Sequence, residues 1–98
     1  MGATIETITM GTYSDCDVII EGDPYISPRH CRITRFRDPD VEPSPTAWQI
    51  FVEDMGSLNG TLVNGHEVDG PTELLIGDRL RIGRTEREIP PHAFWRDT

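Results

Sequence analysis

Residues 56–68 read GSLNGTLVNGHEV, and the fold class turns on this stretch. Asn64-Gly65 sits between Thr61-Leu62-Val63 and His66-Glu67-Val68, two short runs suited to strands. A two-residue hairpin of type I′ needs positive φ at both central positions, which Asn-Gly supplies at least cost. A β-hairpin is therefore predicted here. Asn59-Gly60 just upstream has no clear partner strand on its other side and reads as a shaped loop. Its polar groups on Ser57, Asn59 and Thr61 either brace the backbone or face a ligand.

Strand signals continue on both sides of this hairpin. Short segments fall at Ile5–Met10, Val18–Ile20, Cys31–Phe36, Trp48–Glu53, Thr61–Val63, Glu73–Leu75, Arg79–Ile82 and Ile89–Phe94. In Arg79-Leu80-Arg81-Ile82 charged and apolar residues alternate strictly, the mark of a strand with one wet face. Trp48, Ile50 and Val52 share one face of their segment and Phe51 takes the other, which predicts cover on both sides. Turn signals at Gly22-Asp23-Pro24, Asn64-Gly65, Gly70-Pro71 and Gly77-Asp78 separate the strands, and a proline-rich loop lies between Phe36 and Trp48. No helical stripe persists for three turns. The pattern predicts an all-β fold, a β-sandwich of two antiparallel sheets, built as one domain over residues 1–98 with a core at about 5–94.

Composition narrows the functional classes. Nine glycines and eight prolines in 98 residues leave little room for long helices, while 36% hydrophobic content suits a folded chain. A formal charge of −8 argues against nucleic acid as the main partner, because phosphate backbones need a basic surface. No apolar run approaches the ~18 residues of a membrane span, and no secretory signal opens the chain. With Glu6 in place of Ser or Thr, Met1-Gly2 is no myristoylation signal. Cys16 and Cys31 do not make a disulfide framework, so the expectation is two reduced thiols in a cytoplasmic protein with Cys31 in the core. No cofactor motif stands out, and His30-Cys31 or Cys16 with its flanking aspartates lacks metal-ligand spacing. Residues 27–37, SPRHCRITRFR, hold four arginines and no acid, with carboxylates on both flanks. Such an island suits a small anionic ligand, or else forms a solvated strand face.

The order of several short motifs is more specific than any of them alone. Gly11 precedes Asp17-Val18-Ile19-Ile20, then comes Ser27-Pro28-Arg29-His30, then Asp54-Met55-Gly56-Ser57-Leu58-Asn59-Gly60-Thr61, and finally Ile76-Gly77-Asp78 through Ile82-Gly83. This resembles the forkhead-associated (FHA) domain, a β-sandwich module that binds phosphothreonine peptides, across roughly residues 5–94. The resemblance implies a phosphothreonine-containing protein or peptide as partner, with no nucleic acid and no membrane. It implies that Ser27 donates its hydroxyl to the phosphate and that the Asn59 amide pairs with the peptide backbone beside it. His30 takes the family's loop-bracing place. Gly11, Gly56, Gly60 and Asn64 match structural positions of the motifs.

The chain also departs from the family pattern. Thr12 stands where an arginine usually grips the phosphate, and one hydroxyl replaces a charged planar fork. Leu58 stands where threonine is common, and Pro28 where a basic side chain is common. Arg29 is the residue placed to supply the missing charge. The phosphopeptide-binding set is thus Ser27, Arg29, Asn59, Leu58 and Thr12, in a signalling adaptor. The alternative is a phosphate-independent interaction domain of the same fold, and a third reading is a structural or autoinhibitory part of a larger multidomain protein. Ser27, His30 and Asp54 include the residue types of a hydrolase triad, but no strand-to-helix elbow surrounds the serine, and the chain reads as no enzyme.

Overall fold

Asn64 and Gly65 take φ values of 52° and 83°, so both central residues of the turn lie in the left-handed region. They join β5 (Thr61–Val63) to β6 (His66–Glu67), with Val63 opposite His66. The structure, a computed structural model, describes residues 4–37 and 48–89. Among these, β1 (Thr4–Gly11), β2 (Val18–Ile19), β3 (Cys31–Arg37) and β4 (Trp48–Asp54) precede the hairpin. After it come β7 (Thr72–Leu74), β8 (Arg79–Ile82) and β9 (Thr85–Glu88). One sheet runs β2-β1-β3-β4-β7 and the other β6-β5-β8-β9. All pairings are antiparallel except β1 with β2, which run parallel. The described residues are all strand and loop, in the two-sheet arrangement that the sequence predicts.

The core follows from alternation along the strands. Ile8 and Met10 of β1, Ile33 of β3 and Val52 of β4 face Val63, Leu80 and Ile82 of the second sheet, all buried. Cys31 is fully buried, and burial pushes its thiol up to about 12, so it is an inert core group at neutral pH. Phe51 lies on the outer face, stacked on Phe36 with ring centroids 6.1 Å apart. That stack covers part of the wet side of β3 and β4.

Strands β1 to β4 match the sequence expectation to within one residue at each end, and two later strands are shifted from it. The seventh is displaced by one residue from Glu73–Leu75, because Leu74 is the residue that enters the core while Leu75 is 59% exposed. The last strand is Thr85–Glu88, where Ile89–Phe94 was expected. Gly83-Arg84 forms a two-residue hairpin loop, with Ile82 opposite Thr85 and Gly83 at φ 60°. Strand β9 is an edge with three exposed polar residues, so it carries no apolar alternation to read. Ile89 follows it into the core, and residues 90–94 of the expected strand lie outside the described residues, as does the loop at 38–47.

Asn64 also ties the hairpin to the β7–β8 loop. Its Oδ1 accepts the Arg79 N–H at 3.0 Å, and its Nδ2 donates to Asp78 at 3.0 Å. Asn64→Ala combines a β-carbon in the left-handed region with loss of both bonds, and is expected to lower stability by about 1–2 kcal/mol. Asn64→Gly keeps the turn geometry and should recover part of this loss. Thermal melting of the two variants beside the parent checks the order.

Candidate functional site

The loops after β1, before β3 and after β4 meet at one end of the sandwich, and His30 joins two of them. Its side chain is fully buried. The Ser27 backbone N–H donates to His30 Nδ1 at 3.1 Å, so that nitrogen is the acceptor and the ring proton sits on Nε2. Nε2 then donates to the Gly60 carbonyl at 2.7 Å. One neutral imidazole thereby fixes the loop carrying Ser27 to the loop carrying Asn59.

A second connection runs through the candidate ligand groups themselves. The Leu58 N–H donates to Ser27 Oγ at 3.0 Å. That bond uses an oxygen lone pair and leaves the hydroxyl proton to serve as a donor. Asn59 Nδ2 donates to the Tyr25 carbonyl at 2.9 Å, while its side chain remains exposed at the rim. This bond takes one of two amide hydrogens and leaves the carbonyl oxygen uncommitted. An alcohol and a carboxamide are therefore carried on two linked loops at one rim.

Asp54 holds the second loop in shape. Its carboxylate accepts the Gly56 and Ser57 N–H groups, both at 2.9 Å, the Ser57 hydroxyl at 2.6 Å and the buried Thr61 hydroxyl at 2.7 Å. Ser57 Oγ in turn accepts the Gly60 N–H at 2.9 Å. Burial pushes the Asp54 carboxyl up, but the hydrogen bonds from Ser57, Thr61 and Gly56 outweigh it and hold it below the ordinary aspartate range. Asp23 is held low as well, first by the Thr85 hydroxyl at 2.7 Å and then by the Tyr25 and Arg84 N–H groups. Depressed folded-state values stabilise the fold above the unfolded pKa, and that contribution disappears as pH falls through the folded values. The melting temperature should thus hold above about pH 4 and fall below it. Asp54→Asn should flatten this dependence, as melts from pH 2 to 6 would show.

Cations are present at the rim, each with a partner. Arg29 forms an ion pair with Asp15 and lies 5.2 Å from the centre of the Tyr13 ring. The Asp15 hydrogen bond raises the guanidinium's pKa further. Arg84, from the β8–β9 turn, lies over Tyr25 at 4.3 Å and donates to its hydroxyl at 3.0 Å. The basic run at 27–37 is not one patch. Arg32 pairs with Glu53 on the outer face of the sheet, and Arg35 points inward and donates to Glu6 at 2.7 Å. Alternation along β3 sends sequence neighbours to opposite faces. Only Arg29 of the island reaches the loop cluster.

The first loop reaches the site by close approach. The Thr12 and Tyr13 N–H groups donate to the Ser27 and Pro28 carbonyls at 3.3 and 3.1 Å. A β-carbon on Gly11 would lie 2.0 Å from the Pro28 oxygen, so only glycine permits this contact. Thr12 is exposed beside Ser27, and Leu58 stands at the rim 89% exposed. Gly56 and Gly60 turn their loop at φ 80° and 85°.

Ser27, His30 and Asp54 are not wired as a triad. Both imidazole nitrogens are engaged by backbone groups, Ser27 Oγ is bonded to Leu58, and Asp54 serves its own loop. Four residues shape this end in ways the sequence reading did not assign, Asp54 being weighed there only as a motif and triad residue and Asp23 only as a turn residue. Asp54 carried the signal of an aspartate three residues before a serine and two before a glycine, a familiar side-chain cap. Nothing in the sequence pairs Tyr25 with Arg84, 59 residues away, or Asp23 with Thr85, 62 residues away.

The family model described as FHA domain matches residues 8–83. An FHA domain-containing protein, FhaB of Mycolicibacterium smegmatis, is 31% identical over 86 residues, covering 88% of this chain and 48% of that protein. The chain thus spans about half the length of the curated relatives it matches. A solved FHA domain from work on phosphothreonine-dependent FHA interactions superposes with a TM-score of 0.64 at 28% identity, covering 82% of this chain and 71% of that one. The MEK1 FHA domain in complex with a phosphothreonine peptide of HOP1 gives 0.63 at 25% identity, covering 82% and 87%.

Proposed function

We propose that this chain, which belongs to the FHA domain family, is a phosphothreonine-binding interaction module acting as an adaptor within a larger cytoplasmic protein. In this reading the Ser27 hydroxyl donates to the phosphate and the Asn59 carboxamide pairs with the peptide backbone beside it. Arg29 contributes the positive charge. One observation supports the reading most: Ser27 Oγ accepts the Leu58 N–H, which ties the loop of Ser27 to the loop of Asn59 and leaves the hydroxyl proton available as a donor. A donor held this way can make a short charge-assisted bond to a phosphate oxygen. Phosphate brings about −1.5 to −2 charge to a protein of −8, so affinity should fall with added salt. Calorimetry with a pool of peptides bearing a fixed central phosphothreonine, and with its unmodified twin, tests the reading. Equal heats from the two pools would reject it.

A second reading is supported by the rim itself. Leu58 is 89% exposed, Tyr13 and Tyr25 are 53% and 41% exposed, and Thr12 replaces a charged fork. These groups suit contact with an unmodified partner through its apolar side chains. That reading predicts phosphopeptide affinity in Thr12→Arg where the parent has none. If Thr12→Arg gains nothing, the reading loses its main support.

A further inference from the structure

We propose that Asp15 is an internal competitor for the phosphate, holding the Arg29 guanidinium in the empty site so that only a ligand group more highly charged than a carboxylate draws it away. The inference rests on the phosphothreonine reading of the loops and adds a built-in competitor to it. Arg29 and Ser27 share one loop, two residues apart. Asp15 and Tyr13 lie on the loop between β1 and β2, which Tyr13 N–H, Cys16 Sγ and Thr12 N–H fasten to the Ser27 and Pro28 carbonyls. Because these bonds already hold the two loops together, the arginine can change partner by rotating its own side chain. Both members of the ion pair are half-exposed, so an incoming anion can reach them.

Charge decides what can displace Asp15. A guanidinium fork accepts either a carboxylate or a phosphate in bidentate fashion. Exchanging the Asp15 carboxylate for a ligand's carboxylate leaves the charge product unchanged, and the displaced Asp15 then faces a like charge. A phosphomonoester brings about −1.5 to −2, and because it touches the guanidinium while Asp15 is pushed away, its net attraction grows with charge and offsets the fixed cost of breaking the pair. The pair thereby reserves the guanidinium for a phosphate, at a cost in affinity for every anionic ligand. Threonine at position 12 supplies no second, unrestrained cation to take the place of Arg29.

The test uses the whole 98-residue chain and three peptide pools with central phosphothreonine, glutamate or threonine. Asp15→Asn is expected to tighten phosphothreonine binding by about two- to fivefold, the range of an exposed ion pair. It should tighten glutamate binding by a smaller factor, because a single charge escapes less repulsion, and leave binding of the neutral threonine pool unchanged. Asp15→Glu, which keeps the charge, gives no such gain, and Arg29→Ala in the Asp15→Asn background removes it. Thermal melts confirm that each variant is folded. Unchanged or weaker phosphothreonine binding by Asp15→Asn, with the parent still preferring phosphothreonine over threonine, would make the pair a loop brace and overturn the proposal alone. A gain that survives loss of Arg29 would overturn it too, leaving simple repulsion by Asp15. If neither parent nor Asp15→Asn prefers phosphothreonine to threonine, the phosphothreonine reading fails and this one with it.

Discussion

Replacing His30 with alanine is expected to lower the unfolding free energy by about 3 kcal/mol or more. The ring is fully buried, and its removal leaves a cavity between the sheets' ends. It also leaves the Ser27 N–H and the Gly60 carbonyl without their partner, each worth about 1–3 kcal/mol when stranded away from water. A domain of this size has a total margin of about 5–15 kcal/mol, so the loss is a large share. At about 4–8 °C per kcal/mol, the melting temperature should drop by more than about 10 °C. His30→Asn can keep one of the two bonds and should fall between alanine and the parent. A shift of only a degree or two in calorimetry would mean that the imidazole does not bridge the loops.

The second large effect concerns binding. Ser27→Ala removes a hydrogen bond to a charged group, worth about 1.5–3 kcal/mol, and should weaken phosphothreonine peptides by about ten- to a hundredfold. Asn59→Ala should cost about tenfold through loss of a backbone clamp and of the bond to Tyr25. Neither change opens the core, because both side chains lie at the rim, so melting temperatures should move little. Binding of the unmodified pool should stay as it was. Fluorescence anisotropy with labelled peptides reads both effects, and undiminished affinity in Ser27→Ala would put the phosphate elsewhere on the protein.

Local chemistry made much of the fold legible. Asn64-Gly65 announces its hairpin because few residue pairs tolerate two positive φ angles, and Arg79–Ile82 announces its strand because one face is wet. Thr85–Glu88 was not legible, since an exposed edge strand is specified by its neighbour's backbone and not by its own side chains. The arginine run misled for a related reason: adjacency in sequence becomes opposition across a sheet, and Arg32 and Arg35 find separate carboxylates on separate faces. The motif order named Ser27 and Asn59, yet the contacts that set their surroundings are long-range. Asp23 meeting Thr85, and Tyr25 meeting Arg84, bring together residues that no short window contains.

The imidazole bridge between the two rim loops has a kinetic consequence if peptides bind there as proposed. A rim already stapled in its working shape has little motion left to surrender when a peptide arrives, so ordering imposes little entropic penalty on the encounter. Association should then be rapid, with no slow conformational phase, and differences among peptides should show mainly in how long each one stays.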